Sequence, residues 1–590
     1  MTIIQEIAEA TKTMLAEQYN YQVEDKHIQI DNTRKEFEGD FTLVVFPFVK
    51  PMRTAPEKAG EALGEYLKAK LENVSSYNVI KGFLNISLTS SYWTNLLSTT
   101  LADETWHSNK PSKDVVLVEY SSPNTNKPLH LGHCRNIFLG DAVASIKAFA
   151  GSDVVRTQII NDRGVHICKS MLAWKLFGEG ETPETSGLKG DKLVGKYYVK
   201  YDQAFRAEVA DLLAQGIEEE EAKKQAPLAV QVQKMLQDWE QGEPETVALW
   251  EMMNSWVYKG FDATYNRMGV SFDKLYYESE TYKSGKEIAL KGLEEGLFFQ
   301  KENNSIWCDL EPDGLDQKLL VRGDGTTVYM TQDIGTAVQR FADFPALKQV
   351  IYTVGDEQDY HFKVLFLILQ KLGYDWASAC KHLSYGMVDL PSGKMKSREG
   401  TVVDADDLME EVVAAAKASS EQKGKLDEMS EEEQLTLFET LGIGALKFYL
   451  LRVDPRKRMM FNPEESVSLN GDTGPFVQYT YARCQAVLRK AEDSATADIN
   501  AELNDKERLL LRELTGFNAM VAEAADTLNP AMVASYCVDI AKLYNQFYHD
   551  TPILKADGAE RNFRIALTKL TGETIKTAMK LLGINVPERM

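Results

Sequence analysis

The sequence predicts an α/β protein built around a parallel sheet, joined to a small α+β unit and to an all-α bundle. Residues 115–118 form a continuous β-branched apolar run, the pattern of a strand buried on both faces of a parallel sheet. After a loop, residues 132–150 carry an apolar stripe at helical spacing, and residues 154–160 have the pattern of the next strand. This β–loop–α–β order is typical of a Rossmann-type sheet.

Composition and pattern divide the 590 residues into four predicted domains, because single hydrophobic cores stop growing at about 250–300 residues. The first is α+β, the second holds the parallel sheet with a mostly helical, charged insertion, the third is a helical connector and the fourth is a helical bundle. Their predicted bounds are 1–108, 109–405 with the insertion at about 170–300, 406–470 and 471–590.

Hydrophobic periodicity predicts further elements within these domains. Helices are expected over 2–18, 56–71, 474–490, 506–526, 530–548 and 561–581. Strands are expected over 41–48, 82–87, 349–354 and 382–388. Because the pattern is helical from about residue 404 onward, a bundle is predicted there.

Charge and hydropathy exclude several classes of protein. The formal net charge is −22, so a nucleic acid would need a local basic face, for which residues 447–490 are the candidate. The longest apolar run, 41–49, is interrupted by Pro47 and is far too short for a membrane span. Glu6 and Glu9 in the first residues argue against a leader, so a cytoplasmic protein is expected. The six cysteines are scattered without a CxxC pair, which predicts buried free thiols and no zinc or other metal ligands.

Two histidines straddle a glycine where the loop after the first strand enters a helix. This segment contains Lys127, His130, Gly132 and His133. Ligands of open parallel sheets bind at the carboxyl ends of the strands, and a helix N-terminus there attracts anions. Imidazole N–H groups add donors, and glycine lets a nucleotide approach the backbone. We interpret the segment as a phosphate cradle. Zinc ligation lacks the remaining ligands, and histidines of no consequence on the surface or in the core are the other alternative.

Two later segments carry further candidate residues. A turn signal at residues 324–325 precedes Tyr329 and Asp333, which share a face if the segment is helical, since they are four residues apart. A surface hairpin followed by a helix start is the alternative. Gln358 and His361 follow an apolar strand, which predicts that they lie at the ligand-binding edge of the sheet.

A basic stretch between two glycines is the third candidate. It contains Lys394, Met395, Lys396, Ser397 and Arg398. Flexible cations can close over a leaving pyrophosphate and stabilise its developing charge. The alternative is a solvated basic loop.

In their order along the chain, these segments resemble the signatures of the class I aminoacyl-tRNA synthetases. The stretch SSPNTNKPLHLGH resembles the first signature in its arginine-specific form, residues 320–335 resemble the second block, and GKMKSREGT resembles the mobile loop that usually reads KMSKS. Residues 470–483, 543–549 and 587–590 resemble parts of the family's helical anticodon-binding domain. Residues 1–108 resemble the extra N-terminal domain of arginyl enzymes, which touches the tRNA elbow.

The resemblance implies an arginyl-tRNA synthetase, an AMP-forming ligase that activates arginine with ATP and transfers it to the 3′ end of tRNA(Arg). It also implies Mg²⁺ as cofactor, a requirement for tRNA in the activation step, and a monomer that does not bind membranes. Since all arginine codons have G at the middle position, the helical domain is expected to read the middle cytosine of the anticodon.

The family motifs also imply the roles of individual residues. A planar cation with five donors needs carboxylates and other acceptors, and the residues implied for arginine are Glu119, Ser122, Asn124, Tyr329, Asp333 and Gln358. Those implied for ATP are His130, His133, His361 and Met395. Those implied for catalysis are Lys127, His130, Gly132, His133, Lys394, Lys396, Ser397 and Arg398. Those implied for tRNA are Gln478, Tyr481, Arg483 and Tyr548.

Two departures from the family pattern leave roles open. The basic loop has Lys396 and Ser397 where the general signature has serine and lysine, and Lys127 is favoured over Lys396 as the replacement for the missing lysine. Arg163 and His166 stand in a segment that more commonly reads Asn-Asp-Trp-Gly, so their roles stay undecided. An inactive RNA-binding paralogue and a small nucleotidyltransferase are the alternative functions. The intact ATP-site blocks argue against the first, and the length with a helical C-terminal third argues against the second.

Overall fold

A computed structural model of the chain describes residues 2–34, 36–108, 111–389, 403–423, 426, 429–491 and 498–590. The N-terminal part is an antiparallel sheet of strand order β1-β2-β4-β3 with four helices. Its elements are α1 (Ile3–Tyr19), β1 (Ile30–Asn32), β2 (Phe41–Val44), α2 (Phe46–Met52), α3 (Pro56–Lys70), β3 (Val74–Ile80), β4 (Phe83–Leu88) and α4 (Ser90–Ala102). The predicted strand over 41–48 is too long, because Pro47 lies in the first turn of α2, where its missing N–H leaves no helical bond unmade.

The central part alternates strands and helices around a parallel sheet. Its elements are β5 (Val115–Glu119), α5 (Leu131–Phe149), β6 (Asp153–Ile160), α6 (Val165–Phe177), α7 (Pro183–Ser186), α8 (Gly190–Ala214), α9 (Glu219–Gln225), α10 (Pro227–Glu240), α11 (Pro244–Met268), β7 (Lys274–Tyr277), α12 (Glu278–Glu294), β8 (Phe299–Gln300), β9 (Ile306–Cys308), β10 (Lys318–Val321), α13 (Tyr329–Asp343), β11 (Leu347–Gly355), α14 (Asp359–Lys371) and β12 (Cys380–Tyr385). The predicted α/β class and the first β–α–β unit are confirmed.

The parallel sheet has the strand order β12-β11-β5-β6-β7. The chain runs from β5 outward to β6 and β7, and then returns to the other side of β5 for β11 and β12. Ligands of open α/β sheets bind at such a reversal, outside the carboxyl ends of the strands. A ligand site is therefore expected at the carboxyl ends of β5 and β11.

Two insertions interrupt this sheet. Helices α6 to α11 lie between β6 and β7, and α12 with the small antiparallel sheet of β8, β9 and β10 lies between β7 and α13. The prediction of a mostly helical insertion at about 170–300 omits β7, which returns to the parallel sheet within that range. This edge strand has four residues and only Tyr276 is buried, so its apolar signal is weak.

The C-terminal part is a set of helices that pack on α5 and on one another. Its elements are β13 (Val388–Asp389), α15 (Ala405–Lys423), α16 (Glu431–Leu451), β14 (Met459–Met460), α17 (Pro463–Ser466), α18 (Gly474–Lys490), α19 (Asp505–Thr515), α20 (Phe517–Thr527), α21 (Pro530–Asp550) and α22 (Gly558–Leu581). Strands β13 and β14 pair in parallel. The predicted helix over 506–526 is two helices separated at Gly516.

The structure tests three of the predictions made from composition. All six cysteines are buried free thiols, as predicted. Lys447, part of the predicted basic face, is buried and donates to the Gly583 carbonyl at 2.5 Å, so it cannot contribute to a binding surface. None of the helices in the described ranges combines the length and apolarity that a membrane crossing needs.

Candidate active site

Strand β5 ends at the edge of the sheet where the loop after β6 also emerges. Glu119 is its last residue, and Ser121 then adopts left-handed backbone with φ of 55°, which turns the chain off the sheet. The Ser121 N–H donates to Oδ1 of Asn136 on α5 at 2.6 Å. The Thr125 N–H donates to the Asn161 carbonyl at 3.1 Å, which joins the two loops. These bonds hold the segment that leads into α5 across the strand ends.

His130 and His133 lie at the N-terminus of α5, with their ring centroids 3.9 Å apart. Nδ1 of His130 accepts the Gly132 N–H at 3.1 Å, and Nδ1 of His133 accepts the His130 N–H at 3.1 Å. A neutral imidazole whose Nδ1 accepts a hydrogen bond carries its proton on Nε2. Each ring is therefore a donor through Nε2–H, next to the helix end that attracts anions.

Both rings are held in the neutral form. Burial lowers the pKa of His130 to about 3, and the charge of Lys127 adds to this effect. Burial also holds the pKa of His133 well below its ordinary value, with His130 and Lys127 contributing. Lys127 lies in the same segment and lines a small cavity together with His130. Near neutral pH, the histidines contribute hydrogen-bond donors and Lys127 contributes positive charge.

Two predicted arginine-binding residues lie at the end of β5. Oε1 of Glu119 accepts the Ser122 hydroxyl at 3.1 Å, and Oε2 pairs with the guanidinium of Arg340 on α13. Glu119 is only 6% exposed, so its orientation is set by these partners. The structure therefore brings Glu119 and Ser122 together and adds a residue, Arg340, that no motif indicated.

Helix α13 begins at Tyr329 and carries Asp333 one turn later, so the predicted shared face is present. Oδ2 of Asp333 lies 2.6 Å from Nε2 of His361 on α14. Tyr329 is 71% exposed. Gln358 is exposed in the turn just before α14. This contact joins one predicted arginine-binding residue, Asp333, directly to one predicted ATP-binding residue, His361.

A cavity of about 1030 Å³ opens between the insertions and the sheet edge. Its lining includes the predicted residues Asn124 and Tyr329. It also includes Glu278, which is in none of the predicted sets although it directly follows β7 at the carboxyl edge of the sheet. Burial raises the pKa of Glu278 to about 7, while Arg163 opposes this effect. The only available signal was its place after a strand, and that strand was not predicted.

Comparisons with known proteins agree along the whole chain. Residues 95–462 match the family model "tRNA synthetases class I (R), catalytic domain", residues 477–590 match "DALR anticodon binding domain", and residues 1–88 match "Arginyl tRNA synthetase N terminal domain". An arginine–tRNA ligase of Flavobacterium psychrophilum is 54% identical over 98% of each chain, and one of Bacteroides thetaiotaomicron is 54% identical over 97% of each chain.

The chain belongs to the class I arginyl-tRNA synthetase family. The solved arginyl-tRNA synthetase of Thermus thermophilus superposes with a TM-score of 0.79 at 26% identity, covering 100% of both chains. The predicted fold class is therefore confirmed in full, including the α+β N-terminal domain and the all-α anticodon-binding bundle.

The two residues whose roles the sequence left undecided line the same cavity of this synthetase. Nη2 of Arg163 lies 2.8 Å from Oε1 of Glu240, and its Cζ lies 4.0 Å from the ring centroid of Tyr282. Nδ1 of His166 lies 3.1 Å from the Tyr198 hydroxyl. Arg163 thus ties the loop after β6 to α10 and α12 of the insertions, which is a positional role.

The predicted catalytic and ATP-binding residues Lys394, Met395, Lys396, Ser397 and Arg398 lie outside the described residues. The described residues on both sides of this segment contact α5 and the chain that leads into it. Before it, Arg135 of α5 donates to the Gly386 carbonyl at 2.7 Å. After it, the Ala405 N–H donates to the Leu129 carbonyl at 2.9 Å. The described residues on either side of 390–402 are therefore bonded near the N-terminus of α5.

The predicted tRNA-binding residues of the synthetase divide into two groups. Gln478 is fully buried, and its Nε2 donates to the carbonyls of Thr440 at 3.1 Å and Asn585 at 2.8 Å. Tyr481 is also buried, and its hydroxyl donates to Glu588 at 2.8 Å. Because neither side chain reaches the surface, their positions do not support direct contact with tRNA.

The second group forms an exposed stack on the bundle. The guanidinium carbon of Arg483 lies 4.9 Å from the ring centroid of Tyr479 and 4.8 Å from that of Tyr548. Tyr479 and Tyr548 are 40% and 43% exposed. Tyr479 was not among the predicted residues, although its place one turn before Arg483 on α18 could have indicated it. Surface aromatic rings next to a cation suit base stacking and phosphate contact.

Proposed function

We propose that this chain joins arginine to tRNA(Arg) with ATP, using the sheet edge around β5 and β11 as its active site. The observation that carries the proposal is the meeting of two kinds of group at that edge. Neutral imidazole donors at the N-terminus of α5 suit phosphate, and the carboxylates of Glu119 and Asp333 suit a guanidinium.

In this proposal, the arginine side chain lies between β5 and α13. Asp333, Glu119 and the exposed Tyr329 hydroxyl accept from its guanidinium, with Ser122 holding Glu119. Asn124 and Gln358 bind the α-amino and carboxylate end. Lysine cannot reproduce the planar fork of donors, and sites built on such hydrogen bonds reject analogues lacking them by about 10⁴–10⁵.

ATP lies across the N-terminus of α5. The Nε2–H groups of His130 and His133 donate to its phosphates, Gly132 allows close approach, and His361 with Met395 contacts the nucleotide. Among the described residues, no group of three or more histidine, cysteine or acidic side chains could hold a metal. We propose that Mg²⁺ arrives with ATP and would take most of its ligands from phosphate and water, where it would neutralise phosphate charge.

The reaction has two steps. The arginine carboxylate attacks the α-phosphorus of ATP, and the bond to the β-phosphate oxygen breaks to release pyrophosphate. Lys127, together with the cations of residues 394–398, stabilises the charge that develops on this leaving group. A terminal ribose hydroxyl of tRNA then attacks the arginyl carbonyl and releases AMP.

The C-terminal bundle, residues 471–590 in the proposed division, binds the anticodon of tRNA(Arg). The stack of Tyr479, Arg483 and Tyr548 supports this placement, because aromatic faces bind unpaired bases. Residues 1–108 contact the tRNA elbow, 109–405 hold the catalytic sheet, and 406–470 connect it to the bundle. We propose that the enzyme acts as a cytoplasmic monomer.

ATP–pyrophosphate exchange with each amino acid, with and without tRNA, tests this function. Exchange is expected only when arginine, Mg²⁺ and tRNA(Arg) are all present. Exchange with lysine or glutamine would contradict the assignment. Strong arginine-dependent exchange in RNA-free enzyme would contradict only the requirement for tRNA.

A further inference from the structure

Arg340 contacts Glu119, a residue of the proposed arginine site, but belongs to no recognised motif. It is on α13, the helix that also carries Tyr329 and Asp333, and it is 1% exposed. Its guanidinium pairs with Oε2 of Glu119. One guanidinium of the protein therefore already contacts the carboxylate that is expected to receive the guanidinium of the substrate.

The surroundings of Arg340 fix its position from three strands. Its Cζ lies 5.3 Å from the ring centroid of Tyr276 on β7 and 5.3 Å from that of Tyr352 on β11. The Tyr276 hydroxyl donates to Oδ2 of Asp343 at 2.8 Å, and Tyr352 is the register partner of Glu119 on β5. A guanidinium held between two rings loses little further freedom when its Nη2 pairs with a carboxylate.

The pair is also electrostatically balanced. Burial is the largest single influence and would lower the pKa of Arg340, but Glu119, Tyr352 and Tyr276 together outweigh it, and the net pKa lies above the usual range. Removing one member of a buried ion pair leaves an uncompensated charge and is strongly unfavourable. Arg340 thus compensates the charge of Glu119 whether or not a substrate is present.

We propose that Arg340 is a positioning residue for arginine recognition, which fixes Glu119 through Oε2 so that Oε1 is directed to the substrate's guanidinium. This inference rests on the proposed arginine site. Glu119 and Asp333 then act differently: the Asp333 side chain is 40% exposed and pairs with His361, whereas Glu119 is a buried acceptor held by Ser122 and Arg340. The guanidinium of Arg340 thereby sets the orientation of the Glu119 carboxylate that binds the substrate's guanidinium.

Steady-state aminoacylation by Arg340→Met, Arg340→Lys, Glu119→Gln and the Glu119→Gln/Arg340→Met double variant tests the proposal. For Arg340→Met, the KM for arginine should rise about tenfold or more, as when a charged hydrogen bond is lost, while kcat and the KM for ATP stay within about twofold. Arg340→Lys keeps the charge but not the planar shape of the guanidinium, so it should raise the KM for arginine by a smaller factor.

The double variant should recover thermal stability, since no buried charge is left unpaired, but should keep the raised KM for arginine.

Arg564→Met is the matched control. Nε of Arg564 lies 2.7 Å from Oε1 of Glu507 in a buried pair within the helical bundle, so its loss should lower stability without changing the KM for arginine. If folded Arg340→Met keeps the KM for arginine within about twofold while Glu119→Gln raises it, Arg340 only stabilises the fold and the proposal is wrong. If Glu119→Gln itself has no effect, the proposed arginine site is at fault rather than Arg340. Should Arg340→Met not fold, an unchanged KM for arginine in Arg340→Lys would contradict the proposal.

Discussion

Nε2 of His361 lies 2.6 Å from Oδ2 of Asp333, a contact that joins α14 to α13 across the candidate active site. The first residue is predicted to contact ATP and the second to bind the guanidinium of arginine. The contact therefore joins the two proposed halves of the site. Replacing one residue at a time tests whether each of them serves a different substrate.

Asp333→Asn keeps the shape of the side chain but removes its charge. A hydrogen bond to a charged group contributes about 1.5–3 kcal/mol, so the KM for arginine should rise at least about tenfold while the KM for ATP changes little. His361→Ala should show the opposite pattern. Asp238→Asn, which removes a carboxylate paired with Lys234 on α10, is the control and should change neither constant. If both constants of Asp333→Asn match those of the parent enzyme, Asp333 is only structural.

Lys127→Ala tests the source of the missing cation. Loss of one contact to developing charge usually lowers kcat by about 10²–10³, so adenylate formation should fall by that factor with the KM for arginine nearly unchanged. The loop is well placed for this role, because Pro128 restricts the backbone of Lys127 and packs against Gly195, where a Cβ would lie only 2.8 Å from Pro128 Cδ. Lys396→Ala, measured in parallel, should lower the rate of adenylate formation much less. The reverse ranking of the two variants would assign the role to Lys396.

The histidines of the phosphate cradle should not titrate near neutral pH. Burial lowers the pKa of His130 to about 3, so its ring is expected to remain the Nε2–H tautomer between about pH 5.5 and 8. Nitrogen-15 NMR of histidine-labelled enzyme measures this, with His130→Gln used to assign the signal. A ring that titrates near pH 6.5 would contradict the buried, neutral assignment.

The same shift predicts how stability depends on pH. The folded pKa lies below the ordinary value of 6.5, so the unfolded chain binds more protons between about pH 3 and 6.5. The stability contribution is therefore complete above pH 6.5 and is lost as the pH falls towards 3. On lowering the pH from 6.5 to 5.5, His130→Gln should lose about 1 kcal/mol less unfolding free energy than the parent enzyme. Equal losses would show that His130 is already charged in the folded state.

Tyr548→Ala should impair reading of the anticodon. Base–aromatic stacking contributes about 1–3 kcal/mol per base, so the KM for tRNA(Arg) should rise about fivefold or more. Charging of a tRNA with a mutated middle base should fall much less, because that tRNA already lacks the contact. Tyr548→Phe keeps the ring and is the matched control. If both tRNAs lose charging equally with Tyr548→Ala, the bundle does not read the middle base through this residue.

The sequence by itself determined those elements and motifs whose residues are close together along the chain. The β-branched run at 115–118 predicted a buried strand, because only a strand covered on both faces tolerates continuous apolar residues. Tyr329 and Asp333 were placed on one helical face by their spacing alone. The position of the two histidines at a helix N-terminus was predicted from the loop that precedes them. In each case the interaction spans a few residues, so the spacing along the chain largely defines the geometry.

The tertiary structure decided the contacts between residues that are distant in the chain. Arg340 pairs with Glu119 only because residues of α13, β5 and β11 pack in one hydrophobic cluster, and nothing near either residue in the sequence indicates the pair. Glu278 became a site residue because β7 joins the edge of the sheet. Gln478, by contrast, was removed from the surface by packing of α18 against α16 and the chain after α22. Burial and ion pairing depend on which elements meet, and that is a property of the whole fold rather than of any segment.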